Sequence, residues 1–142
     1  MRKFVAVLSG QEEVPPVRTR AFGILKLKVN KKQTQLRYRL TVFNLRKFTQ
    51  AHLHLAPRGV NGPIVAFLFG LTVPGISVNR GRVTGTIKNG DLIGPLQGMT
   101  IANLVRQIRR GNIYVNAHTE QNPDGEIRGQ VRKARRKAKR CK

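Results

Sequence analysis

The feature that most constrains this chain is a strict two-residue alternation. Leu25, Leu27 and Val29 alternate with Lys26 and Lys28, and Leu36, Tyr38, Leu40 and Val42 alternate with Arg37, Arg39, Thr41 and Phe43. Successive side chains of a strand point to opposite faces, so each run has one apolar face for a core and one face that is largely cationic. The polar stretch 30–35 between them predicts a hairpin loop. Further strand-like runs are 4–8, 51–55, 63–69, 81–88, 113–119 and 125–131. Asn89-Gly90 has the composition of a type I′ turn and predicts that 83–88 pairs with a short strand near Leu92–Ile93.

One segment has a different period. Ile101, Leu104, Val105 and Ile108 fall at i, i+3, i+4 and i+7, with Thr100 placed to cap the start and Gly111 to stop the end. Arg109 and Arg110 lie in the last turn, where cations suit the helix dipole. Many short strands, frequent Gly turns and one short amphipathic helix predict an all-β fold, a Greek-key β-sandwich or flattened barrel.

Charge limits the partners. Of 142 residues, 28 are Lys or Arg and 6 are Asp or Glu, a formal net charge of +22. Eight of the basic residues stand in 132–142, which leaves +14 on residues 1–131. The expected organisation is a β domain over 1–131 followed by a flexible basic tail over 132–142, where like charges repel and nothing apolar anchors them. A surface this basic implies an anionic partner. No apolar run approaches the ~18 residues of a membrane-spanning helix. The first apolar run, 4–8, is shorter than the roughly seven to fifteen residues of an export leader, so none is expected in this chain. Cys141 is the single cysteine, which excludes an intrachain disulfide.

Three histidines occupy two places. On a strand, His52 and His54 of Ala51-His52-Leu53-His54-Leu55 share a face, about 6.6 Å apart along the backbone. Tyr114, Asn116 and His118 share a face of the second run. If the two strands meet, three imidazoles can surround one ion, and imidazole suits copper or zinc. The plainer reading is structural, with the rings bonded to backbone carbonyls or acids. Glu12, Asn116, Glu126 and Arg128 are expected as outer partners of the histidines, with Glu12 and Glu13 placed to bond a nearby Arg or a histidine N–H. Glu126 and Arg128, two apart, are also placed to pair with each other or with a neighbour. The loop Gly59-Val60-Asn61-Gly62-Pro63 is expected to make a tight turn after the first histidine strand.

Several stretches together resemble the CHRD domain, a module repeated in chordin and found singly in bacterial proteins. They are Leu8-Ser9-Gly10-Gln11-Glu12-Glu13-Val14-Pro15-Pro16-Val17, Ala51–Leu55 with Gly59–Val65, Gly111–Thr119 and Asn122–Val131, in the family's order and covering about residues 4–131. The resemblance implies no established activity. CHRD domains are in turn similar to copper/zinc superoxide dismutases in combining a β-sandwich with an H-x-H strand and a late histidine. That more distant similarity implies His52, His54 and His118 as copper ligands, with zinc less favoured. A bridging fourth histidine and a zinc loop are missing here.

The basic residues form their own candidate surface. If Leu25, Leu27, Tyr38 and Leu40 face inward, then Lys26, Lys28, Arg37 and Arg39 face outward on adjacent strands, extended by Lys31 and Lys32 at the hairpin tip and by Arg132, Lys133, Arg135, Arg136 and Lys137 of the tail. Like charges directly across strands cost stability, which points to a polyanion, acidic surface or acidic protein as partner. Nucleic acid would be bound without sequence preference, because phosphate contacts need only Lys and Arg and aromatic residues are sparse at 6%. The leading expectation is therefore a non-catalytic binding or structural module that associates with an anionic matrix or polymer and self-associates through sheet edges. The alternatives are a copper or zinc protein, with superoxide-dismutase-like chemistry as its extension, and a non-specific nucleic-acid binder. No catalytic residue is assigned. The expected location is the cytoplasm, or a cell-envelope or spore layer assembled without an N-terminal signal.

Overall fold

The computed structural model describes residues 2–135. Eight strands and one α-helix follow in the order β1 (Arg2–Ser9), β2 (Phe22–Val29), β3 (Gln35–Leu55), β4 (Ile64–Gly70), β5 (Ile76–Lys88), α1 (Ile101–Arg109), β6 (Ile113–Thr119), β7 (Ile127–Gln130) and β8 (Arg132–Lys133). The all-β expectation with one short helix holds. The strands β2-β1-β7-β6-β3 run side by side and close on themselves through β2–β3 pairing, with β4 and β5 added to β3. Among the described residues no helix is long and apolar enough to cross a membrane.

The organising element is β3, 21 residues long. Its first half pairs with β2 and β5, and its second half with β4 and β6. It therefore belongs to both layers of the flattened barrel. The sequence presents this strand as two runs, 36–43 and 51–55, because the alternation breaks between them. Asn44 and Lys47 have φ of 55° and 52°, and both pairing registers shift near Phe48. The break changes which parity faces the core: Leu36, Leu40 and Val42 before it, then Leu45, Ala51 and Leu53 after it, are all buried. On the far side of Ala51 and Leu53 stand His52 and His54.

The core is continuous through both layers. Phe4, Ala6 and Leu8 of β1 meet Leu25, Leu27 and Val29 of β2 and the inward residues of β3, with Val115, Ala117 and Ile127 opposite. The helix adds Ile101, Leu104, Val105 and Ile108, all buried. Thr100 caps it by accepting from the Asn103 N–H, and Gly111 follows it with φ of 79°.

Two expectations are corrected. Asn89-Gly90 does not make a hairpin into a strand at Leu92–Ile93. The segment Asn89–Asp91 is a 3₁₀ turn, in which Asp91 accepts from the Lys88 N–H. Asn89 Oδ1 accepts from the Ile101 N–H at 2.8 Å, so its side chain serves the start of α1. Strand β5 takes its partner from β3 instead. The basic run expected to be flexible from residue 132 is also tied down at its start: Arg132 and Lys133 pair with Val5 and Phe4, and the Ala134 N–H donates to Lys3 O. Arg136 and Lys137 lie outside the described residues.

Candidate metal centre and cationic face

Pairing of β3 with β6 sets His52 opposite Asn116, His54 opposite Tyr114 and Gln50 opposite His118. The two-residue period then puts Gln50, His52 and His54 on the same face as Tyr114, Asn116 and His118. The rings of His52 and His118 lie 4.7 Å apart, those of His52 and His54 5.5 Å, and those of His54 and His118 6.1 Å. One ring nitrogen from each lies within 4.8 Å of those of the other two. Exposures of 1%, 6% and 8% for His52, His54 and His118 put the cluster out of bulk solvent. This group could hold a metal ion.

The surroundings fix each ring. His54 Nδ1 is 2.9 Å from Gly62 O and its Nε2 2.8 Å from Asn116 Oδ1. His118 Nδ1 is 2.6 Å from Pro123 O and its Nε2 2.9 Å from the same Asn116 oxygen. His52 Nε2 is 2.8 Å from Gln50 Oε1, while its Nδ1 is buried without a partner. Phe67 packs edge-on against His52. Burial pushes the His52 ring down to about 3, helped by the neighbouring His118 and His54. Burial also holds His54 and His118 below the ordinary histidine value. All three rings are therefore neutral near pH 7, the form in which imidazole binds metals.

The expected outer partners divide. Asn116 lies between two of the rings. Arg128 does not touch a histidine. It is buried over the Tyr114 ring and donates to Asn61 Oδ1, Pro57 O and Val60 O, holding the loop after β3 in place. Glu12 takes the arginine alternative and is corrected only as a histidine partner: it makes a two-pronged ion pair with Arg58 at the surface. Glu126 is corrected as a histidine partner, and it pairs with neighbours rather than with Arg128. Its carboxylate accepts from Thr19, Thr119, Gln121 and Asn122. Burial raises that carboxyl, but these bonds outweigh it and hold it below the ordinary range.

Glu13, beside Glu12 in sequence, is the acid that approaches the centre. It is buried next to the Asn116 amide and pushed up to about 7 by burial, against the pull of Arg128. The sequence reading missed Gln50 and Phe67. Gln50 was accessible to the same period-two argument that joined His52 to His54. Phe67 had no such signal, because its position against His52 depends on a shifted register between β3 and β4.

The cationic side chains line up on the other layer. Lys26 stands opposite Arg39 and Lys28 opposite Arg37 across β2 and β3. Lys3 lies across from Lys28, and both Arg132 and Lys26 lie across from Val5. Lys3, Lys26, Lys28, Arg37, Arg39 and Arg135 line one groove of about 1230 Å³, with Lys133 at its β8 side. Lys31 and Lys32 are exposed in the loop between β2 and β3. The acids are elsewhere. Glu12, Glu13, Glu120, Asp124 and Glu126 belong to loops near the histidine layer, and Asp91 to the turn after β5.

No curated protein matches the chain. The sequence profile of the CHRD domain matches residues 4–131, a span that runs from the start of the core in β1 to the end of β7 and includes all three histidines. The chain is thus a member of the CHRD domain family.

Proposed function

We propose that this protein is a non-catalytic binding module whose cationic sheet face docks an anionic polymer or surface. Membership of the CHRD family supports a non-catalytic module in general. The observation that carries the finer reading is the direct pairing of Lys26 with Arg39 and of Lys28 with Arg37. Like charges at cross-strand positions destabilise a sheet, and no acid of these strands relieves them. Among the described residues the one ion pair is Arg58–Glu12, at the other layer. A row of phosphates, sulfates or carboxylates would supply the missing counter-charge. Nucleic acid is one such polymer and would be held without sequence preference. Binding to heparin, DNA and polyglutamate as a function of salt tests the reading. The expected result is an affinity that falls steeply with ionic strength, and a flat salt response removes it. The same reading includes self-association through the edges of β4 and β5, each of which has β3 as its one strand partner among the described residues; sedimentation at several concentrations measures it. A cell-envelope or spore-layer location agrees with such a partner, and imaging of tagged protein checks it.

A second reading is favoured by a separate observation, the convergence of His52, His54 and His118. The ion it favours is copper, which binds nitrogen donors more tightly than zinc among divalent first-row metals. Copper in an imidazole site would also permit superoxide chemistry. Metal analysis after a Cu/Zn challenge, with wild type beside His118→Ala, is the test. Equal metal in both proteins removes the reading.

A further inference from the structure

The partners of the histidines determine where their protons are. A carbonyl oxygen only accepts, so Nδ1 of His54, facing Gly62 O, and Nδ1 of His118, facing Pro123 O, are the N–H donors. A neutral imidazole has a single N–H. Nε2 of both rings is therefore a bare lone pair, and both lone pairs face one oxygen, Asn116 Oδ1, at 2.8 and 2.9 Å. His52 donates from Nε2 to Gln50 Oε1, which leaves its buried, unpartnered Nδ1 as a third lone pair. Two nitrogens and an oxygen thus meet with no hydrogen among them, and one ring nitrogen of His52 lies within 4.8 Å of those of both other rings. Like partial charges at these distances repel unless a cation lies between them.

On its other side the Asn116 amide stands against the Glu13 carboxyl, close enough that a Cβ on Gly125 would press on both Asn116 Nδ2 and Glu13 Oε2. Glu13 Oε2 is itself buried without a hydrogen-bond partner, and with the amide Nδ2 on that side Oδ1 faces the rings.

We infer that Asn116 is itself a metal ligand, its Oδ1 completing a three-nitrogen, one-oxygen set with His52 Nδ1, His54 Nε2 and His118 Nε2. This rests on the metal reading above and specifies it. The added oxygen shifts preference toward a divalent late first-row ion, Cu(II) first. Glu13 lies on the other side of the amide.

The test uses the full chain and Cu²⁺ titrated against a weak competing chelator, with electron paramagnetic resonance of the bound ion and circular dichroism as a check of folding. Wild type, His118→Ala, Asn116→Leu and Asn116→Asp are compared. Wild type is expected to bind one ion. Asn116→Leu keeps three nitrogens and should bind about 10- to 100-fold more weakly, with a changed copper spectrum. Asn116→Asp supplies an anionic oxygen in the same place and should bind at least as tightly as wild type. Wild-type affinity and an unchanged spectrum in Asn116→Leu overturn the inference while leaving the three-histidine reading intact. Failure of wild type to bind, or equal binding by His118→Ala, overturns both. If Asn116→Leu does not fold, Asn116→Asp decides: a spectrum identical to wild type overturns the assignment.

Discussion

Arg128 lies over Tyr114 with its guanidinium carbon 3.4 Å from the ring centroid, and Tyr114 in turn stacks on His54 at 4.6 Å and 3°. The ring that binds no metal is thereby what separates a buried cation from a candidate ligand. The same guanidinium spends its hydrogens on the carbonyls of Pro57 and Val60, so one side chain sets both the loop and the ring stack.

Arg128→Met should therefore destabilise the fold by about 3 kcal/mol, because the Pro57 and Val60 carbonyls lose a charged donor and the cation–π contact goes with them. Arg128→Lys should recover only part of this, since an ammonium cannot reproduce the fork. Denaturant melts read the energies, and hydrogen exchange over 57–62 shows whether the loop loosens. Full rescue by lysine would contradict the assignment.

Stability should depend on pH through two opposing sets of groups. The histidines have lowered folded values, with His52 at about 3. Their contribution is complete above the unfolded value of about 6.5 and is lost as pH falls toward 3. Glu13 is raised to about 7, so its contribution is complete below about 4.5 and is lost as pH rises through 7. Glu13→Gln removes the second set. Relative to wild type, this variant should gain up to about 3 kcal/mol between pH 4.5 and 7. A difference that stays constant over that range would show that Glu13 titrates normally.

Gly125→Ala should cost more than Gly59→Ala. Both glycines have positive φ, 122° and 83°. A methyl at 59 meets open space, whereas one at 125 runs into the Glu13 carboxyl and the Asn116 amide. The expected losses are about 1 kcal/mol at 59 and about 3 kcal/mol at 125, read by thermal melts. Equal losses would mean that the Asn116–Glu13 contact is loose.

Lys26→Glu should raise stability and lower polyanion affinity together. It turns a repulsive cross-strand pair with Arg39 into an attractive one, a gain of roughly 0.5–1 kcal/mol. It should also reduce the slope of log affinity against log salt by about 1 or more, having removed a phosphate contact. Unchanged heparin binding in a folded variant would place the docking surface elsewhere.

How much of this was legible in the sequence follows from the range of each interaction. Alternation in 25–29 and 36–42 and the 3.6-residue period of 101–108 are local patterns, and each appeared as the expected element. The shared face of His52 and His54 followed from the same arithmetic. The join between the two halves of β3 did not, because it takes left-handed conformations at both Asn44 and Lys47, and while Asn tolerates that region, Lys gives no sign of it. Asn89-Gly90 misled because its side chain has a competing partner twelve residues on, the Ile101 N–H. Glu12 and Glu13 show the same limit at the site. Adjacent acids are indistinguishable by composition, and only the folded loop sends Glu12 to Arg58 at the surface and Glu13 inward to Asn116.

Because one unbroken backbone segment, β3, carries Arg37 and Arg39 near its beginning and His52 and His54 near its end, the two candidate sites are mounted on a common rod. No linker intervenes to let them drift. A polymer seated on the basic layer would hold the imidazole pocket at a fixed standoff and orientation, so that every copy along such a fibre would present its pocket the same way.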